Sequence, residues 1–111
     1  MRIVARTVFV AAIIAKVVVL ATPAASAAPQ QPSVIIKNFD YAPMSLTVRR
    51  GATVTWKNLD GEPHTVTSVD GLFRSGALDT NESYSFRFDK SGTYNYVCSI
   101  HPRMMAKVIV K

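Results

Sequence analysis

The amino-acid sequence predicts an all-β fold, an antiparallel Greek-key β-sandwich of about seven to eight strands. Three observations carry that expectation. From Ser33 onward, short runs rich in β-branched and aromatic residues recur, turn-forming residues separate them, and no stretch repeats apolar residues at the helical period. The runs are Val34 to Phe39, Leu46 to Val48, Thr53 to Asn58, Thr65 to Val69, Tyr84 to Phe88, Thr93 to Cys98 and Ala106 to Val110. Between them stand Ala42-Pro43, Arg50-Gly51, Asp60-Gly61, Asp70-Gly71, Ser75-Gly76 and Lys90-Ser91-Gly92. Gly and Pro there supply backbone angles that a ladder cannot accommodate. Alternation at Tyr84, Phe86 and Phe88, and at Tyr94, Tyr96 and Cys98, puts each set on one face of its strand.

The N-terminal segment is read apart from this fold. Arg2 and Arg6 precede an apolar stretch from Thr7 to Leu20, which runs into Pro23-Ala24-Ala25-Ser26-Ala27-Ala28. That is the layout of a secretory signal peptide over residues 1–27, with cleavage after Ala27, where Ala25 and Ala27 give the small-x-small pattern. Lys16 interrupts the apolar run, and no charge-free stretch reaches the ~20 apolar residues that a spanning helix needs. No stable membrane insertion is expected. Residues 28–32 are expected to form a short disordered lead-in and residues 33–111 the folded domain. Export, with the periplasm as destination, follows from the leader.

Residues 28–111 leave room for one domain with one core. They carry ten basic and seven acidic side chains, a net charge of +3 against +6 for the whole chain. The cations are scattered, and no basic run or recognition helix accompanies them, so nucleic acid is excluded as a partner. Cys98 is the only cysteine, so no disulfide can staple an exported domain of this size. Coordination by a metal gives a lone thiol in an oxidising compartment a reason to persist.

The chemistry concentrates in Cys98-Ser99-Ile100-His101-Pro102-Arg103-Met104, a thiolate, an imidazole and a thioether spaced C-x2-H-x2-M, with Pro63-His64 upstream. The chain has two histidines and one cysteine, and all three fall where one site can use them. Alternation turns Cys98 inward at the end of its strand. His101 and Met104 lie on the return loop, and His64 enters from a separate segment after a turn. Two His and one Cys in a plane with a weak axial Met suit copper cycling between Cu(II) and Cu(I). Zinc would prefer four N, S or O donors, and a thioether is a poor fourth. The candidate metal ligands are therefore His64, Cys98, His101 and Met104, holding one type 1 copper ion per chain. The reaction this implies is one-electron transfer rather than catalysis, because no ligands remain for a second copper or a substrate position. Copper storage or delivery is the alternative function.

Further residues extend the pattern: Phe39-x-x-x-Pro43-x-x-Leu46-x-Val48-x-x-Gly51-x-x-Val54-x-Trp56-x-Asn58, then Pro63-His64-x-Val66, then Gly92-x-Tyr94-x-Tyr96-x-Cys98-x-x-His101-Pro102-x-Met104-x-x-Lys107-Val108-x-Val110. On these residues the chain resembles the cupredoxins, and its short C-x2-H-x2-M loop is similar to that of the amicyanins. The resemblance implies that His64, Cys98 and His101 are strong ligands, Met104 the axial one, and Met105 not a ligand. It also implies that Asn58 ties the His64 loop to Ser99, that Tyr94 makes a tyrosine-corner contact and that Trp56 is core. The function implied is that of a monomeric electron carrier between redox proteins. A dehydrogenase or other donor would reduce it, and a c-type cytochrome or oxidase would take the electron, each docking transiently around His101.

Overall fold

A computed structural model describes residues 3–5, 7–21 and 31–111. Residues 3–5 and 7–21 carry neither strand nor helix, and no helix among the described residues is long and apolar enough to cross a membrane. The expected cleavage point after Ala27 and residues 28–30 of the lead-in lie outside the described residues. Pro32, at the end of that lead-in, accepts the Thr55 N–H through its carbonyl at 3.1 Å.

Eight strands follow in order: β1 (Ser33–Lys37), β2 (Asp40–Ala42), β3 (Ser45–Val48), β4 (Ala52–Asn58), β5 (Thr67–Ser68), β6 (Ser83–Phe88), β7 (Gly92–Val97) and β8 (Met105–Val110). They form two four-stranded sheets, β2-β1-β4-β6 and β3-β8-β7-β5, which is the two-layer all-β architecture the sequence predicts. The sheets are mixed rather than purely antiparallel. β1 pairs parallel with β4, and β3 pairs parallel with β8, while the other ladders are antiparallel. The cause is the crossing of the chain between layers. After β2 the chain leaves for the second sheet as β3 and comes back as β4 beside β1, running in the same direction.

Three local departures from the sequence reading have physical causes. The run Val34 to Phe39 breaks after Lys37, because Asn38 and Phe39 adopt positive φ (52° and 59°) and turn the chain into β2, which the sequence reading lacks. The run Thr65 to Val69 shrinks to Thr67–Ser68, because the backbone before it, at His64 and Val66, bonds across to Leu78 and Ser75 instead of to β7, while Val69 beyond it donates its N–H to Asn95 O of β7. Ser75 N–H donates to Val66 O at 2.9 Å and Ser68 N–H to Phe73 O at 2.9 Å. Phe73 and Leu78, in no predicted strand, are thereby carried into the core.

The core lies between the layers. Val54, Trp56 and Asn58 alternate inward along β4, and Phe88, Tyr96, Val108 and Val110 face them from the other strands. Trp56 is fully buried and packs on Phe73, Tyr84, Phe88 and Tyr96 at ring-centroid distances of 5.5–6.4 Å. Removing an aromatic ring from such a position costs about 3–5 kcal/mol. Tyr94 donates its hydroxyl proton to Lys90 O at 2.7 Å, the corner contact that the resemblance implies. The result is a rigid frame whose end, beyond β4 and β7, presents two loops to each other.

Candidate metal centre

The first loop leaves β7. Cys98 follows Val97 immediately and is fully buried, as strand alternation requires. Its N–H donates to Met104 O at 3.1 Å, and the Met104 N–H donates to His101 O at 2.9 Å. These bonds close residues 98–104 into a tight turn that hands the chain to β8. Val97 pairs with Met105, so the pleat turns Met104 inward and Met105 outward. Met104 is 4% exposed and Met105 59%.

The second loop follows β4. Asn58, at its end, donates from Nδ2 to Glu62 O at 2.9 Å and to Leu78 O at 2.8 Å, and accepts the Asp60 N–H at 2.9 Å. It binds the loop that carries His64. It does not reach Ser99, and the expected Asn58–Ser99 tie is corrected here. That tie is made by Thr65, whose Oγ1 accepts the Ser99 N–H at 2.7 Å and lies 3.0 Å from Ser99 Oγ. The cause is reach: Asn58 spends both amide hydrogens on carbonyls of its own side of the site, leaving Thr65 as the polar group facing the Cys98 loop. His64 itself is held at both backbone groups, with its N–H on Leu78 O at 3.1 Å and its carbonyl accepting the Leu78 N–H at 2.7 Å.

The two loops bring three candidate ligands together. The donor atoms of His64, Cys98 and His101 all lie within 4.8 Å of one another. Cys98 Sγ is 3.8 Å from His64 Nδ1 and 3.7 Å from His101 Nδ1. With metal–sulfur and metal–nitrogen bonds of about 2.3 and 2.0–2.1 Å, donors of one ion lie about 3.6 Å apart at tetrahedral angles and about 3.8 Å apart at trigonal ones. The two sulfur–nitrogen distances therefore match a single ion near the trigonal limit. Buried Met104 completes the expected set from the same turn.

The surroundings prepare these donors. His64 is fully buried, and its Nε2 lies 2.8 Å from Asp60 Oδ2, which leaves Nδ1 facing the sulfur. Asp60 also accepts the N–H groups of Asn38 at 2.7 Å and Phe39 at 2.9 Å. Burial pushes the Asp60 carboxyl up, but those two N–H groups and His64 more than offset it, so the group titrates below the usual carboxylate range. Burial likewise pushes the Cys98 thiol up. The Thr65 N–H, 3.3 Å from Sγ, and the two imidazoles outweigh that and lower it to about 6. Such a sulfur is a thiolate at neutral pH, the form that binds metal.

His101 is half-buried where His64 is fully buried, which agrees with its expected place at the surface. An indentation of about 510 Å³ lies beside it, bordered by Phe39, Asp40, Ile100, Pro102 and Arg103. Asp60, Thr65 and Phe39 are the site residues that the sequence reading lacks. For Asp60 a signal existed, since a carboxylate four positions before a candidate ligand histidine is a ready partner for its second nitrogen.

Comparison with known proteins agrees with this geometry. A family model described as a cupredoxin-like domain matches residues 9–110. Amicyanin of Paracoccus denitrificans is 38% identical over 81 residues, covering 68% of this chain and 62% of its own length. The plastocyanin of Scenedesmus fuscus is 39% identical over 72 residues, covering 55% of this chain and 74% of its own. Among solved structures, an oxidized amicyanin variant superposes with a TM-score of 0.71 at 34% identity, covering 78% of this chain and 88% of that one. A purple cupredoxin from Nitrosopumilus maritimus gives 0.67 at 36% identity, covering 72% and 99%. The match thus spans less than two thirds of the Paracoccus amicyanin sequence but nearly the whole of the purple cupredoxin chain.

Proposed function

The chain belongs to the cupredoxin family, and from that premise we propose that it is an exported, monomeric type 1 copper protein that carries one electron at a time between redox partners. The observation that carries the reading is the convergence of His64 Nδ1, Cys98 Sγ and His101 Nδ1 within 4.8 Å, beside a buried Met104. Copper bound there supplies a Cu(II)/Cu(I) couple. The protein's part is to hold the ligands in one arrangement for both oxidation states: Leu78 clamps His64 through the backbone, and the Cys98–Met104 bond closes the loop. Both histidines and the one cysteine serve a single site, which supports a carrier rather than an enzyme. The half-buried His101 edge is the route by which the electron enters and leaves. A dehydrogenase or similar donor and a c-type cytochrome or oxidase would dock there, steered weakly by Arg103.

The visible and electron paramagnetic resonance spectra of the purified domain after addition of Cu(II) test this reading. An intense thiolate-to-copper band at one ion per chain is expected, lost in Cys98→Ala. Stoichiometric copper without that band would overturn it. Copper storage or delivery is the second reading, favoured by Met44 and Met105, exposed thioethers that line one groove of about 400 Å³. A delivery protein would exchange Cu(I) with a chelator on mixing, whereas a carrier keeps its ion through repeated redox cycles.

A further inference from the structure

The β1–β2 hairpin has a two-residue loop, Asn38-Phe39, between the paired residues Lys37 and Asp40. Both loop residues have positive φ, the type I′ arrangement for which Asn-Gly is the preferred pair. Asn38 fits that preference. Phe39 does not: a bulky side chain in the left-handed region is an outlier, and such strain persists where the surrounding structure requires it.

The ring shows what requires it. Phe39 packs T-shaped on His64, with ring centroids 5.1 Å apart at 86°, and equally on His101, at 5.0 Å and 88°. The two imidazoles are themselves 5.0 Å apart. One side chain from a separate hairpin thus contacts both candidate nitrogen ligands while 47% of its surface stays exposed. Its backbone is tied to the same centre, since Asp60 Oδ2 accepts the Phe39 N–H and also lies against His64 Nε2.

We infer that Phe39 is a positioning residue for electron transfer, a ring wedged against His64 and His101 that holds the two imidazoles in one arrangement in both oxidation states, at the cost of a strained turn. The inference rests on the copper reading above. Cu(I) and Cu(II) favour different ligand arrangements, so a histidine free to move would have to reorganise with each electron. His64 is already held by Leu78 and Asp60. His101 sits on the loop with one side toward solvent, and Phe39 is the aromatic packed against it from outside that loop.

The experiment compares Phe39→Gly, Phe39→Leu and Phe39→Tyr with the wild type. In Phe39→Gly the turn takes its preferred sequence, so the copper-free protein should melt within about 4 °C of wild type despite losing the ring. Its electron self-exchange rate should nevertheless fall by about tenfold, with a changed reduction potential and copper hyperfine splitting. Phe39→Leu keeps an apolar surface without an aromatic edge and should lose rate in the same way, whereas Phe39→Tyr should restore it. In copper-free wild type, cross-relaxation between the Phe39 ring and both imidazoles should be seen by NMR, with a single set of His101 ring signals that broadens in Phe39→Gly. Wild-type rate and potential in Phe39→Gly would overturn the inference, as would a Leu variant as fast as wild type, because the ring would then be docking surface only. Loss of the blue band in wild type would instead defeat the copper reading, while the copper-free NMR contacts would still report on the wedge.

Discussion

Met104 and Met105 are adjacent in sequence and opposite in environment, and the pleat that separates them is what makes a prediction possible. Met104 is buried against the centre, and Met105 points into solvent from β8. A thioether in the axial position contributes little affinity but modulates potential, so Met104→Gln should lower copper affinity by less than about tenfold while moving the potential downward. Met105→Gln should leave the potential unchanged. Voltammetry of the two variants checks the register, and a larger shift from Met105 would mean that the loop is read one residue out. The ligand types and their spacing were legible in the sequence because metal chemistry restricts them so strongly. Thr65 was not, because nothing in a threonine's neighbourhood along the chain says which loop its hydroxyl will meet. Its partner Ser99 is 34 positions away. The resemblance implies Asn58 for that task, but its amide groups serve the His64 loop.

At the scale of elements, Asp60 joins the end of β4 and His64, its near neighbours in sequence, to the Asn38-Phe39 turn more than twenty residues upstream. A carboxylate that accepts two backbone N–H groups in a buried setting contributes about 1.5–3 kcal/mol through each bond to its charge. Because its folded pKa is depressed, that contribution is fully present above the unfolded carboxyl value of about 3.9 and is lost as pH falls through the folded value. Asp60→Asn should therefore lower the urea midpoint of the copper-free protein at pH 7. The gap between variant and wild type should close as the pH is taken below about 3.9, and a gap independent of pH would show that shape, not charge, matters at this position. The same region explains which elements could be read from sequence. β4, β6, β7 and β8 carry the alternation expected of half-buried strands and fall within a residue or so of their predicted runs. β2 has three residues and β5 two, too short to show a period. The parallel pairing of β1 with β4 depends on where the chain crosses between layers, which no local pattern encodes.

For the whole molecule, the question is how a small two-sheet domain with one cysteine keeps a thiolate in its interior. Apart from Cys98 and Met104, the core from Val34 to Val110 consists of side chains that are not candidate ligands, and the strands of both sheets pair through their backbones. The copper-free domain should accordingly be folded but less stable. Copper present at 1,000 times its dissociation constant adds about 4 kcal/mol by mass action. For a domain of this size that is a fall of roughly 15–30 °C in melting temperature when the ion is removed. The pH dependence of binding follows from Cys98. Its pKa of about 6 lies below that of an ordinary thiol, so at neutral pH the sulfur is already deprotonated and the ion displaces no proton from it. Below about pH 6 each unit of acid should cost tenfold in affinity from this group alone. The copper-free protein's stability should also fall as the pH drops from the ordinary thiol value of about 9 toward 6 and level off below it, because a depressed thiol pKa stabilises the fold fully only above the unfolded value and that gain is gone once the folded thiol is protonated. A competition titration against a Cu(II) chelator from pH 5 to 8 reads the first effect, and denaturant midpoints of the copper-free protein read the second. Both should bend near pH 6. A copper affinity that kept rising tenfold per unit up to pH 8 would mean that the Thr65 N–H and the two imidazoles do not hold the sulfur as a thiolate before the metal arrives.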